Sequence, residues 1–156
     1  MKKRIIADIS ANERAATTWL NLEALADVEI TSESSEHPIE GALLSGTGRG
    51  WRAAKPGMQT IRLLFKKPQD INRIHLIFLE SAIKRTQEYV LRGSRDEGQT
   101  WNEIVRQQWN FSPDGSTRET EDYTLALPGV TALELIITPD ISGQRAFASL
   151  EKLRIA

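Results

Sequence analysis

Tyr89-Val-Leu-Arg-Gly-Ser-Arg-Asp-Glu-Gly-Gln-Thr-Trp101 is the stretch that decides the fold class. It reads as a strand, a tight turn and a second strand opening on tryptophan. The turn is carried by Asp96-Glu97-Gly98. A short carboxylate there can bond its own backbone, and the glycine after it takes positive φ without a Cβ penalty.

Strand signals continue on both sides of this hairpin. Val28 and Ile30 begin a short strand, and Ile61, Leu63 and Phe65 alternate through Gln59–Lys66. Ile71–Leu79 is apolar on nearly both faces, as expected of a central strand covered on both sides. Glu88–Gly93, Trp101–Trp109, Asp122–Leu127, Ala132–Thr138 and Phe147–Ile155 bring the set to about eight strands. The connections at 67–70, 112–115 and 127–129 carry Lys-Pro-Gln-Asp, Ser-Pro-Asp-Gly and Leu-Pro-Gly. Proline presets φ in such turns, and glycine or aspartate accepts the remaining angles. Many short strands without intervening helices predict an all-β antiparallel β-sandwich of the jelly-roll kind. The exception is Ser10–Ala26, where Ser10 and Glu13 have capping-box spacing and Ala15, Trp19, Leu22 and Ala26 share a helical face. The expected organisation is a helical extension over 1–27, packed through Trp19, and a sandwich over 28–156.

Bulk composition narrows the function classes. The chain has 156 residues, 40% of them apolar and 26% charged, with net charge −1. Neither a nucleic-acid nor a membrane partner is expected from that balance, and no apolar run approaches a membrane span. Charge is unevenly placed: residues 41–95 hold eleven Lys/Arg against three Asp/Glu, and both flanks are acidic. There is no cysteine, which excludes disulfides and thiolate chemistry. The basic start Met1-Lys-Lys-Arg lacks the apolar stretch of an export signal, so a cytoplasmic location is the expectation.

Catalytic constellations are hard to assemble. His37 and His75 are the only histidines, and His75 lies inside an apolar strand. Asp96-Glu97 belongs to a turn, and Glu119, Glu121 and Asp122 read as a polar strand entry rather than as paired catalytic carboxylates. Gly46-Thr-Gly-Arg-Gly50 lacks the Lys-Ser/Thr of a phosphate loop. The chain is expected not to be an enzyme.

The chain from about Val28 to Ile155 resembles the discoidin domain, also called the coagulation-factor type-C domain, of the galactose-binding-like superfamily. The resemblance is carried by Val28-Glu-Ile-Thr-Ser-Glu-Ser-Ser35, Gln59-Thr-Ile-Arg-Leu-Leu-Phe65 with Ile74-His-Leu-Ile-Phe78, Ser94-Arg-Asp-Glu-Gly-Gln-Thr-Trp101, and Ala148-Ser-Leu-Glu-Lys-Leu-Arg-Ile155. It implies a discoidin-like jelly roll that binds ligands rather than transforming them, with Trp51 and Trp101 inside the sandwich. Many relatives hold calcium with an Ala-x-Asp-Gly-like loop and a glutamate on the last strand. Glu151 is similar to the glutamate, but Leu44 stands where the resemblance would place an acidic ligand. No cofactor is therefore expected, and Glu151 is a weak calcium candidate.

Binding chemistry has better candidates. Successive antiparallel strands reverse direction, so connections alternate between the two ends of the sandwich. The short ones (66–70, 94–99, 128–130) are expected to share one end. The long ones (part of 33–58, 80–87, 110–119, 139–146) share the other, which is the candidate binding surface. Arg52, Arg85, Trp109, Asn110 and Arg145 are the candidate ligand-binding residues, with Lys55 and Lys84 nearby. A sugar presents C–H faces to an aromatic ring and hydroxyls to Asn and Arg. Trp109 has a second reading, in which it alternates with Val105 and Phe111 and fills the core. A carbohydrate-binding module is the leading expectation, and an intracellular protein-interaction or assembly domain is the alternative. The ligand would be a glycan or a protein.

Overall fold

Period-2 burial organises the chain. In a computed structural model, which describes residues 2–3, 18–46 and 48–156, the elements run α1 (Leu22–Leu25), β1 (Ala26–Ile30), α2 (Glu40–Leu43), β2 (Trp51–Pro56), β3 (Gln59–Leu79), β4 (Arg85–Ser94), β5 (Asn102–Phe111), β6 (Arg118–Thr138), β7 (Phe147–Leu150) and β8 (Lys152–Ile155). All strand pairings are antiparallel, in the order β1-β3-β6-β4-β5, with β8 on β3 and a separate β2-β7 pair.

β3 and β6 each unite two of the expected strands. Their mutual register shifts between Leu64 and Arg73, across Lys67-Pro68, where proline cannot donate to the ladder. The first half of β3 pairs β1, and its second half pairs β8. Each long strand thus contributes to both layers of the sandwich. Ile61, Leu63, Leu133, Leu135, Ile137, Tyr89 and Leu91 point inward from one layer, and Ile71, Ile74, Leu76, Phe78, Leu153 and Ile155 from the other. Phe78 and Tyr89 stack across the gap at 5.0 Å between centroids.

The hairpin turn is closed by side chains. Glu97 and Gly98 both take positive φ, 61° and 86°. Ser94 Oγ accepts from the Gly98 N–H at 2.8 Å and donates to Asp96 Oδ1 at 2.7 Å. Asp96 also accepts the Thr100 N–H at 2.9 Å and the Thr100 hydroxyl at 2.5 Å. The hydroxyl and amide of Thr100, with Ser94, hold the Asp96 carboxyl down to about 2.

Three expectations are corrected. Residues 10–17 of the expected helix, its expected cap Ser10 included, lie outside the described residues; the rest forms only the single turn α1, capped by Asn21. Ala26 already belongs to β1, paired with Phe65, because the edge pairing satisfies more backbone than another helical turn would. Trp19 therefore lies on no helix; Arg73 packs over its ring at 4.9 Å and His75 beside it at 6.1 Å. Trp101 is only half-buried, with the Arg62 and Arg92 guanidinium groups 5.7 and 5.2 Å from its ring centroid. Those two arginines share the buried Glu134, so Trp101 caps an ion-pair row instead of entering the core. Trp51 does enter it, its indole N–H donating to Ser32 O at 3.0 Å.

Candidate functional site

Strand reversal brings the long connections together. Glu80 N donates to Thr117 O at 2.9 Å, Ile141 N to Thr86 O at 2.9 Å, and Gln144 Nε2 to Lys84 O at 3.1 Å. Gly57 N donates to Ala146 O at 3.0 Å, adding the turn between β2 and β3 to the same end. At the opposite end Gly129 N reaches Asp70 Oδ1 at 2.9 Å, and Glu97 N reaches Thr131 Oγ1 at 2.8 Å. The grouping matches the one expected from connection lengths.

The long-connection end carries an aromatic ring flanked by cations. β2 pairs β7 with Arg52 opposite Ser149 and Pro56 opposite Phe147, and an irregularity in between. The Arg52 and Arg145 guanidinium carbons lie 5.4 and 5.3 Å from the Phe147 ring centroid. Both arginines are exposed, and Phe147 is half-buried. Among the described residues, neither guanidinium takes part in a hydrogen bond or ion pair. A small cleft of about 190 Å³ adjoins them, lined by His37, Arg52, Leu79, Ser149 and Glu151 among others. The supporting floor is rigid: Trp51 is buried beneath it, and Glu33 accepts the Ile39 N–H at 2.9 Å to fix the preceding loop.

Arg52 and Arg145, far apart in sequence, are thus brought to one ring. The other three candidates take different roles. Arg85 is 3% exposed, donates to Glu80 Oε1 at 2.7 Å and Pro139 O at 2.8 Å, and packs over Phe111 at 4.8 Å. Its side chain ties connections together from inside and is not offered to a ligand; the inward face of β4 leaves it no other direction. Trp109 pairs with the inward-facing Gln87, packs against the core and donates to Ser116 Oγ at 3.0 Å, which is the core-filling reading of that residue. Asn110 points outward, but its Oδ1 accepts from Thr86 Oγ1 at 2.7 Å.

Beneath this end lies a buried polar plug between the layers. Gln87 Nε2 donates to Glu119 Oε1 at 3.1 Å, and Arg85 Nη1 donates to Gln87 Oε1 at 3.2 Å. Among the described residues, Glu119 Oε2 and Arg85 Nη2 are buried without a hydrogen-bond partner. Burial, and then the neighbouring Glu121, push the Glu119 carboxyl up to about 8. Tyr89 and Tyr123 complete the plug with hydroxyls 2.5 Å apart.

The segment that the resemblance compares with a calcium loop is engaged by a side chain of the protein itself. Ala42 O and Leu44 O accept from the Arg154 guanidinium at 2.8 and 3.3 Å, so a cation already occupies those carbonyls. Glu151 packs against Gly50, where an added Cβ would meet its carboxylate at 2.8 Å.

Phe147 is the site residue the sequence reading passed over, assigning it only to a strand. The signal that marks it is Arg145-x-Phe147 at the mouth of the closing strand, where a long connection delivers side chains to the sandwich end.

The F5/8 type C domain family model matches residues 27–152. A comparison with curated proteins found no match. Among solved structures, the chain is similar to the family 32 carbohydrate-binding module of C. perfringens NanJ in complex with galactose, at 14% identity and TM-score 0.64, covering 88% of this chain and 97% of that one. It is also similar to a Clostridium perfringens module in complex with GalNAc-β-1,3-galactose, at 21% identity and TM-score 0.60, covering 88% and 99%. A third is the module of AlyQ in complex with 4,5-unsaturated mannuronic acid, at 15% identity and TM-score 0.58, covering 90% and 98%.

Proposed function

The chain belongs to the F5/8 type C domain family, and from that premise we propose that it is a non-catalytic carbohydrate-binding module whose ligand sits on the Arg52–Phe147–Arg145 surface. The observation that carries the proposal is the meeting, on one half-buried aromatic ring, of two guanidinium groups that have no hydrogen bond or ion pair among the described residues, at the end where the long connections gather. Aromatic area with a few convergent polar groups is what oriented binding of a small polar ligand requires. The neighbouring cleft beside Ser149 and Glu151 supplies further polar contacts. The three solved modules bind galactose, a GalNAc-galactose disaccharide and an unsaturated mannuronic acid, which supports the sugar class without selecting one. Among the described residues, the Ser149 hydroxyl of the cleft donates to Leu79 O at 3.3 Å rather than to a base, and the carboxyl of Glu119 is fully buried.

A glycan-panel screen followed by titration tests the proposal. Phe147→Ala should abolish retention of any glycan found and leave the fold intact by circular dichroism. Chemical-shift mapping of the bound sugar onto the 66–70, 94–99 and 128–130 turns, or retention of a protein partner and no glycan, would overturn it.

A further inference from the structure

We infer that the ligand of this surface carries a carboxylate, which makes it an acidic sugar of the uronic type rather than a neutral one. The inference rests on the carbohydrate reading and adds its chemical class.

The Phe147 ring is the starting point. A neutral sugar stacks its C–H groups on a bare aromatic face. Here the ring is approached by two guanidinium groups, Arg52 at 5.4 Å and Arg145 at 5.3 Å. A cation over a ring face is held by the ring's quadrupole. Phe147 therefore acts as the platform that orients the arginines, and the arginines are what a ligand meets.

Donor chemistry then selects the ligand. A guanidinium has five N–H donors and no acceptor, whereas a sugar hydroxyl both donates and accepts. Neutral sugars are best met by a mixture of the two kinds. A carboxylate only accepts, and its two oxygens match the guanidinium fork. Among the described residues, none of the guanidinium donors of Arg52 or Arg145 is used within the protein.

Charge points the same way. The basic segment 41–95 sends Arg52, Lys55 and Lys84 to this end, where Arg145 joins them. Two of the acidic residues nearby, Glu80 and Asp140, are engaged elsewhere. Glu80 takes Arg85 at 2.7 Å and the Ala82 N–H at 2.9 Å, and Asp140 takes the Ser142 N–H at 3.0 Å. Glu151 lines the same cleft as Arg52, its carboxylate close against Gly50, and among the described residues is the one acid that faces the proposed ligand there. Two like charges on one ring repel each other, and a bound anion relieves that repulsion.

Calorimetric titration of the whole chain with galacturonate, glucuronate and mannuronate oligomers, each beside its methyl ester and a sulfated neutral sugar, tests this. The free acid of at least one oligomer should bind about tenfold more tightly than its ester, the worth of one charge-assisted contact. Arg52→Gln and Arg145→Gln should each bring acid and ester to equal affinity while unfolding midpoints stay put. Added salt should weaken the acid and leave the ester unaffected. If esters or neutral sugars bind as well as the acids, the inference fails and the carbohydrate proposal stands. Preference for the sulfated sugar also overturns the carboxylate assignment. If no glycan binds at all, both fall.

Discussion

At one end of the sandwich, Ser94, Asp96, Thr100 and Thr131 use up one another's hydrogen-bonding capacity; at the other, Arg52 and Arg145 keep theirs. The difference follows from loop length. A tight turn with two positive-φ residues needs side chains to satisfy its backbone, and every polar group in reach is drawn in. Long connections satisfy their backbones against each other, as Glu80 does with Thr117 and Ile141 with Thr86, and side chains at their rims are left for a ligand. The long end is itself divided in depth. Arg85 below is bound on several sides, and among the described residues the Arg145 guanidinium above meets only the ring.

The sharpest way to break this comparison is to truncate both arginines. Arg85→Ala removes the partner of Glu80 and leaves buried acceptors, and should cost about 3–5 kcal/mol in denaturant melts. Arg145→Ala, being exposed, should change stability by no more than about 0.5 kcal/mol. Equal losses would show that the plug and the rim are one structure.

A middle-sized effect is expected at the turn end. Ser94 is fully buried and its hydroxyl serves the Gly98 N–H and Asp96 together. Ser94→Ala should cost about 1–3 kcal/mol, the range for orphaning buried polar groups, with no effect on ligand affinity measured by titration. A change in affinity would contradict the separation of the two ends.

The smallest effect sharpens the depth division through pH. Native Glu119, raised by burial and Glu121, keeps its proton to about 8, whereas the unfolded carboxyl releases it near the ordinary 4.5. Unfolding therefore releases a proton between those values, and stability falls as pH rises from about 4.5 through about 8. Asp96 acts on the other side: held at about 2 against an ordinary 3.8, its contribution is lost only as pH falls through that range. Melting temperature should thus be a few degrees higher at pH 5.5 than at pH 8.5, and Glu119→Gln should flatten the slope. A slope unchanged by Glu119→Gln would place the titrating group elsewhere.

Much of the fold was legible in local chemistry. Alternation at Ile61, Leu63 and Phe65 and the Asp96–Gly98 turn follow from period-2 burial and turn geometry, which nearest neighbours in sequence already impose. Connection lengths even sorted the two ends, because antiparallel strands must reverse. The sequence could not tell that β3 and β6 run through their bends unbroken, since a bulge and a turn carry the same proline signal at Pro68. Nor could it tell the arginines apart. Arg52, Arg85 and Arg145 are equivalent as letters, and only the folded packing around Phe111 and Phe147 turned one inward to close the core and the other two outward onto a ring. Trp101 was misread for the same reason: a large aromatic on an edge strand can cover either face, and the Arg62–Glu134–Arg92 row across three strands decided which. Burial pattern is a local property of the chain. The direction in which a long side chain finds its partner is set by strands that meet only after folding.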